Sequence, residues 1–132
     1  MVRKAPLALA ATLLVLLSAP LWAEDEPLSE KWYSERWCAL YGGQIGFRMA
    51  DGGRCDCLTP SHAVEVAPAR EWADAIGWSL RAGYQTGRRP GIVLIQEEAA
   101  DSVHRQRLEA VIDRYSLPIT VWTTSRGVPA VD

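Results

Sequence analysis

Two acidic residues, Asp56 and Glu65, lie in two short segments, 54–58 and 62–67, that both have the alternating pattern of a β-strand. Because successive side chains of a strand point to opposite faces, both carboxylates can lie on the same side of a sheet. Carboxylate oxygens are ligands that divalent cations such as Mg²⁺ prefer in proteins. The pattern therefore allows a metal site built on two carboxylates.

The elements that must position these two residues follow the order αβββαβαβ. Apolar residues at helical spacing predict helices over residues 30–41, 68–83 and 101–115. Ser29 is expected to cap the first helix, and Pro68 to lie in the first turn of the second, where its missing N–H costs little. Alternation or short apolar runs predict strands over residues 45–49, 54–58, 62–67, 92–95 and 119–123, with turns at 51–53 and 87–91. This order predicts an α/β fold, a mixed sheet flanked by helices.

The first 23 residues have the pattern of a secretory signal peptide. Basic Arg3 and Lys4 precede an apolar run, residues 7–17, and small residues lead to Ala23. The apolar run is shorter than the roughly 20 residues that span a bilayer. We therefore expect cleavage after Ala23 and a secreted or periplasmic protein with one domain, residues 24–132. No stable membrane association is expected after cleavage.

The formal net charge of the whole chain is −2, and loss of Arg3 and Lys4 would lower it by two further charges. Nonspecific nucleic-acid binders usually carry a clear basic excess, so the charge argues against that class. It does not exclude an enzyme, because carboxylates that bind a metal make a site acidic.

Three cysteines, Cys38, Cys55 and Cys57, favour one disulfide and one free thiol in an exported protein. Cys55 and Cys57 would point to the same face of one strand at roughly 7 Å, too far apart to bridge. Cys38 is therefore expected to pair with either Cys57 or Cys55. A zinc site of the three sulfurs and His62 is an alternative that the oxidising compartment disfavours.

Four segments of the chain carry a resemblance to a known family: residues 56–59 (DCLT), 62–66 (HAVEV), 72–77 (WADAIG) and 90–95 (PGIVLI). Together with Trp37-Cys38 and Gly42-Gly43, they resemble small bacterial and phage proteins of the PD-(D/E)xK nuclease superfamily. The resemblance covers residues 37–95. It implies a restriction-endonuclease-like core in which Asp56 and Glu65 bind Mg²⁺ or Mn²⁺ for phosphodiester hydrolysis. Nucleic acid is then the candidate partner, with DNA, RNA or neither left open.

The chain departs from this superfamily at the lysine expected two residues after Glu65, where Ala67 stands. Arg70, in the first turn of the next predicted helix, is expected to contact phosphate instead, because a guanidinium stabilises phosphate oxygens even though it is a poor proton shuttle. Trp78 replaces the glutamine of the small subfamily. We therefore expect a metal-dependent phosphodiesterase with an altered site formed by Asp56, Glu65 and Arg70. The alternative is a catalytically inactive binding module of the same fold.

The remaining polar and aromatic residues have simpler interpretations. Trp78 is expected to fill the vacated part of the site, and Trp72 to lie in the core. His62 is expected to be a capping or surface residue, and His104 to be a surface residue of its helix. The pair Arg88-Arg89 is interpreted as a solvated turn rather than a phosphate contact.

Overall fold

The computed structural model describes residues 1–2 and 28–127 of the chain. The predicted signal peptide, apart from Met1 and Val2, lies outside the described residues. Within the described part, no helix combines the length and the apolar character needed to cross a membrane.

The described elements follow the predicted order αβββαβαβ. Short 3₁₀ turns precede the second and third helices, at Ala69–Glu71 and Ala99–Asp101. The helices and strands are α1 Glu30–Leu40, β1 Gln44–Arg48, β2 Arg54–Leu58, β3 His62–Pro68, α2 Trp72–Thr86, β4 Arg89–Ile95, α3 Ser102–Tyr115 and β5 Thr120–Thr124. The side chain of Ser29 accepts a hydrogen bond from Trp32 N–H, which confirms the predicted cap of α1.

The five strands form one mixed sheet in the order β1-β2-β3-β4-β5. β1, β2 and β3 are antiparallel neighbours joined by short turns, whereas β3, β4 and β5 are parallel. Parallel neighbours need a crossover connection, and α2 and α3 provide the two crossovers. The α/β class and the mixed sheet are therefore confirmed.

Helices cover both faces of this sheet. On one face, Trp37 and Cys38 of α1 pack with Cys57, Val64 and neighbouring apolar side chains. On the other face, the side chains of α2 and α3 pack against β3 and β4; this cluster contains Ala67, Ala75, Ile92, Leu94 and Leu108. The alternation along β3 and β4 thus assigns successive residues to two different cores.

The predicted start of α2 at Pro68 is wrong. Pro68 is the last residue of β3, in register with Ile95 of β4, and it has the extended angles φ −53° and ψ 140°. The helix begins four residues later, at Trp72, after the 3₁₀ turn. The strand pairing decides the conformation of this proline, and that pairing involves a segment distant in sequence.

The predicted turn over residues 87–91 is also wrong in part, because β4 begins at Arg89. Gly91 pairs with Thr120 of β5, and the ring of Trp122 lies 2.7 Å from the position that a Cβ atom of Gly91 would occupy. This glycine therefore permits a close approach between two strands rather than a turn.

Candidate functional site

Strands β2 and β3 bring the carboxyl groups of Asp56 and Glu65 together. The antiparallel register pairs Cys57 with Val64, which places the residue before Cys57 beside the residue after Val64. The two carboxyl groups share a hydrogen bond, and Oδ2 of Asp56 accepts the backbone N–H of Val66 at 2.8 Å. The predicted proximity of the two acids is therefore confirmed, and they are called the carboxyl pair below.

The bond between Val66 and Asp56 coincides with a break in the alternation of β2. Cys57 packs beside α1, whereas Cys55 is buried in a different cluster with Ala82 of α2. The expectation that Cys55 and Cys57 share one face is therefore wrong. The N–H of Val66 donates to the side chain of Asp56 and not to a main-chain carbonyl of β2. The main-chain hydrogen bonds between β2 and β3 are therefore irregular at this point.

The disulfide joins Cys38 to Cys57, with Cα atoms 5.6 Å apart, and Cys55 is a buried free thiol. The sequence left open whether Cys38 pairs with Cys57 or with Cys55, and the structure has the bond to Cys57. It also removes two of the sulfurs that the zinc alternative required. Among the described residues, no group of three or more His, Cys, Asp or Glu side chains is placed to hold a metal ion.

The carboxyl pair is asymmetric in its electrostatics. Only 8% of Glu65 is exposed, and this burial, together with the nearby charge of Asp56, raises the pKa of Glu65 to about 8. Burial also raises the pKa of Asp56, but the N–H of Val66 and the hydrogen bond with Glu65 oppose that effect. A hydrogen bond between two carboxyl groups needs one proton. Near neutral pH that proton lies on Glu65.

A cation that acts on Glu65 is Arg81 of α2, which sequence reasoning did not identify. Its charge opposes the rise in the pKa of Glu65, while its Nε atom forms an ion pair with Oδ2 of Asp51 at 2.7 Å. Asp51 belongs to the turn between β1 and β2. The turn and the helix are 30 residues apart in the chain, so no local pattern indicates their contact.

Arg70, the predicted phosphate contact, lies outside the carboxyl pair. Its side chain is exposed in the turn before α2 and, within the part of the chain that the structure describes, makes no hydrogen bond or ion pair with Asp56 or Glu65. Its charge instead lowers the pKa of Glu30, which partial burial and then Asp56 raise. Glu30 is therefore a third acid near the pair, although its position in the sequence indicated only the first turn of α1.

A cleft of about 630 Å³ opens where the parallel strands β3 and β4 end, and Glu30 and Arg70 contribute to its wall. Clefts at the carboxyl ends of parallel strands are the usual ligand positions of α/β sheets. Asp56 and Glu65 do not line this cleft. Glu97 also lines it and accepts hydrogen bonds from the hydroxyl of Tyr33 at 2.5 Å and from the backbone N–H of Arg126 at 2.6 Å. Burial and the bond to Glu97 raise the pKa of Tyr33 to about 12.

The two histidines lie apart from the carboxyl pair. His62 begins β3 and is half-buried, and its ring nitrogens form hydrogen bonds with Ser61 and Thr120 at 2.7 and 2.9 Å. Its hydrogen bond with Thr120 therefore links β3 to β5. The Nδ1 atom of His104 is buried and has no hydrogen-bond partner in the described part of the chain. The surface position expected for His104 is thus only partly correct.

The tryptophans of α2 differ in their surroundings. Trp72 packs beside the cluster of α2 and α3, as predicted. Trp78 is 43% exposed and belongs to none of the buried clusters of the described residues. The expectation that Trp78 fills a vacated site is therefore wrong.

Comparison with models of known protein families, with curated proteins and with solved structures finds no significant match to this chain. The restriction-endonuclease-like core therefore stays a prediction, as do the metal and the phosphodiester substrate.

Proposed function

We propose that the protein is an exported, metal-dependent phosphodiesterase of restriction-endonuclease-like fold with a weakened active site. Asp56 and Glu65 would hold Mg²⁺ or Mn²⁺, and Arg70 would contact phosphate. The observation that carries the proposal is the hydrogen bond between these two carboxyl groups on adjacent strands. The two groups share a proton because two carboxylates held so close would repel each other, and a divalent cation would take the place of that proton.

The donor set suits a hard cation. The pair offers only carboxylate oxygens, and Mg²⁺ commonly keeps several water ligands beside one or two carboxylates. Asp56 is fixed by the N–H of Val66, so one ligand is held in place before any ion arrives. When bound, the ion would supply charge neutralisation at the phosphate and an activated water molecule.

Arg70 would act from the neighbouring cleft, where Glu30 is influenced by the charges of both Arg70 and Asp56. Its guanidinium is exposed and fits a phosphate oxygen in geometry and charge. Because the arginine stays protonated, it would stabilise the charge on the phosphate and leave proton transfer to water. Slow hydrolysis is the expected consequence.

The rival function is a catalytically silent binding module. The observation that favours it is Ala67, which is fully buried among the apolar side chains of α2 and α3. The place of the superfamily's lysine therefore holds no polar group. Arg81, the cation that acts on Glu65, is also engaged by Asp51.

The disulfide is compatible with export, because such bonds persist in oxidising compartments. The secreted or periplasmic location fits this bond and the predicted signal peptide.

Cleavage assays test the proposed chemistry. The full chain, expressed for export so that the disulfide forms, is incubated with supercoiled plasmid or single-stranded RNA in millimolar Mn²⁺. The test variant is Glu65→Gln, which keeps the size of the side chain but cannot lose a proton to become an anionic metal ligand. Glu109→Gln is the matched control, because Glu109 is a half-buried residue of α3 paired with Arg105 and distant from the carboxyl pair in sequence.

Cleavage by the wild type and the control, with loss of activity in Glu65→Gln, would support the phosphodiesterase. Equal cleavage by all three proteins would point to a contaminating nuclease and would contradict the proposal. Absence of cleavage by a folded wild type would favour the binding module.

A further inference from the structure

Strands β1 and β5 are the two edges of the sheet, and among the described residues neither has a neighbouring strand on its outer side. The outer side of an edge strand presents backbone N–H and C=O groups that can pair with a strand of another chain. Native proteins usually protect such edges with a bulge, a charged side chain or a proline. The two edges of this sheet differ in that protection.

The edge at β1 is protected. Gly46 has a φ of 60°, and the register of β1 with β2 omits this residue. Arg54 of β2 donates a hydrogen bond to the carbonyl of Gly46, so that acceptor is already engaged. The strand ends at the exposed and charged Arg48. The irregular backbone and the two arginines therefore hinder the pairing of β1 with another chain.

The edge at β5 has none of these features. Its sequence, TVWTT over Thr120–Thr124, contains no charged residue, no glycine and no proline. All of its residues are β-branched or aromatic, and these types favour strands. The ring of Trp122 lies over Gly91 of β4, the inner neighbour, so it does not cover the outer side of β5. β5 is therefore a neutral edge that is open to a further strand.

The backbone groups of Val121 and Thr123 point away from β4. The carbonyl of Thr124 accepts the N–H of Gln96, the residue after β4, so the backbone groups of Thr124 face β4. Because this direction alternates along a strand, the groups of the second and fourth residues, Val121 and Thr123, face outward. Each of these two residues offers one N–H donor and one C=O acceptor to a partner.

The residue order of β5 suits pairing with a second copy of itself. Read in either direction, the strand has threonine at both ends, a β-branched residue in the second and fourth positions and Trp122 at the centre. An antiparallel arrangement about a twofold axis at Trp122 places Thr120 opposite Thr124 of the copy, and Val121 opposite Thr123 of the copy. Threonine pairs are favourable across antiparallel strands, and no like charges meet within β5.

The same arrangement satisfies the outward backbone groups. Val121 of one copy and Thr123 of the other exchange N–H···O=C bonds in both directions, and the twofold axis repeats this exchange. A contact between identical surfaces is closed, so each copy uses its β5 edge once. Because the β1 edge is protected, the assembly ends at two copies.

We propose that β5 is a dimerisation edge. Two copies of the chain pair antiparallel through Thr120–Thr124, about a twofold axis at Trp122, and their sheets become continuous. This contact is separate from Asp56 and Glu65. It therefore holds for the phosphodiesterase and for the silent module alike.

Sedimentation equilibrium of the full chain, exported and with its disulfide, over a wide range of protein concentration tests the proposal. The test variant is Thr123→Pro, which removes an outward N–H. Proline is tolerated at such an edge position, because no hydrogen bond to β4 is lost. The matched control is Thr123→Ala, which loses the same side chain but keeps the N–H.

We expect the wild type and Thr123→Ala to dimerise with similar Kd values. Thr123→Pro should raise the Kd about tenfold or more, because the twofold axis removes the bond from both halves of the contact. Circular dichroism and the Tm show whether each variant is folded.

Amide hydrogen exchange of the wild type locates the contact without any substitution. The N–H groups of Val121 and Thr123 should become more protected as protein concentration rises, whereas those of β1 should not change. This measurement keeps the proposal testable if Thr123→Pro does not fold.

Several outcomes would overturn the proposal. The first is a wild type that stays monomeric at every concentration. The second is a dimer that persists in folded Thr123→Pro, or that is lost equally in Thr123→Ala, because association would then not depend on the backbone N–H. Protection confined to β1 would place the contact at the other edge. A monomeric wild type that binds an unrelated extended peptide, with protection of Val121 and Thr123, would assign β5 to a foreign strand.

Discussion

The backbone N–H of Val66 donates to Oδ2 of Asp56 at 2.8 Å, so the main chain of β3 holds a side chain of β2. This bond favours the ionised form of Asp56. Glu65, which has no equivalent backbone donor among the described residues, is then the member of the pair that keeps the proton. The backbone N–H of Val66 is therefore the reason why the two carboxyl groups differ in their affinity for a proton.

The first prediction concerns Glu65→Gln and pH. The carboxyl of Glu65 has a pKa of 4.5 in an unperturbed chain and about 8 in the folded protein. Between these values the folded state binds more protons, so stability falls as pH rises, by up to about 1.4 kcal/mol per pH unit. Glutamine stays neutral and can still donate to Asp56. We expect the variant to melt several degrees higher than the wild type near pH 8 and to lose most of this pH dependence.

Thermal melts at a series of pH values check this prediction. Glu109→Gln should follow the wild-type curve closely, because a partly solvent-accessible i,i+4 ion pair on a helix contributes little to stability. A Glu65→Gln protein that is less stable than the wild type near pH 8 would show that Glu65 is not held as a neutral acid.

The second prediction concerns divalent cations. A ligand that binds only the folded state raises its stability, by about 2.7 kcal/mol at 100 times Kd. Mn²⁺ should therefore raise the Tm of the wild type and of Glu109→Gln, but not that of Asp56→Asn or Glu65→Gln. Thermal melts with and without excess EDTA measure the difference. An equal shift in all four proteins would place the cation elsewhere.

The order of the elements was predictable from sequence because it depends on local patterns. The alternation of 54–58 and the cap at Ser29 gave bounds that the structure reproduces. The errors at Pro68 and at Arg89 have one physical cause, since both residues belong to the parallel pair of β3 and β4. Such pairing joins segments distant in sequence, and no local pattern records it.

The candidate site was predictable only in its two acids. Asp56 and Glu65 were indicated by the resemblance, and strand alternation permitted both side chains to lie on one side of the sheet. The approach of Arg81 to Glu65 depends on how α2 packs across the sheet, and the proximity of Glu30 depends on α1. The irregular alternation of β2 could not be predicted, because it accompanies a hydrogen bond between the side chain of Asp56 and the backbone of β3.

The third prediction concerns the cysteines. Thiol titration of the denatured, unreduced protein should find one thiol, that of Cys55, and the native protein should react slowly. Burial and then the charge of Glu65 raise the pKa of Cys55 to about 11, which suppresses the reactive thiolate. Replacing Cys38 and Cys57 together by serine should cost about 3 kcal/mol of unfolding free energy for a loop of this length. Three thiols in the unreduced sample would contradict the bond.

The fourth prediction compares two glycines. A Cβ atom on Gly43 would lie 2.3 Å from the sulfur of Cys57 and 2.7 Å from that of Cys38, whereas a Cβ atom on Gly77 in α2 would meet no atom within 4 Å. Overpacking typically costs about 1–3 kcal/mol. Alanine in an exposed helix position gains about 1 kcal/mol over glycine.

We therefore expect Gly43→Ala to destabilise the protein and Gly77→Ala to stabilise it, as measured by urea unfolding. If Gly43→Ala acts through the disulfide, its cost should shrink in a background where serine replaces both Cys38 and Cys57, because the two smaller side chains are not bonded to each other and can move apart. The effect of Gly77→Ala should be the same in both backgrounds, since Gly77 contacts neither sulfur. An unchanged cost of Gly43→Ala in the serine background would show that the backbone at Gly43, rather than the disulfide, excludes a side chain.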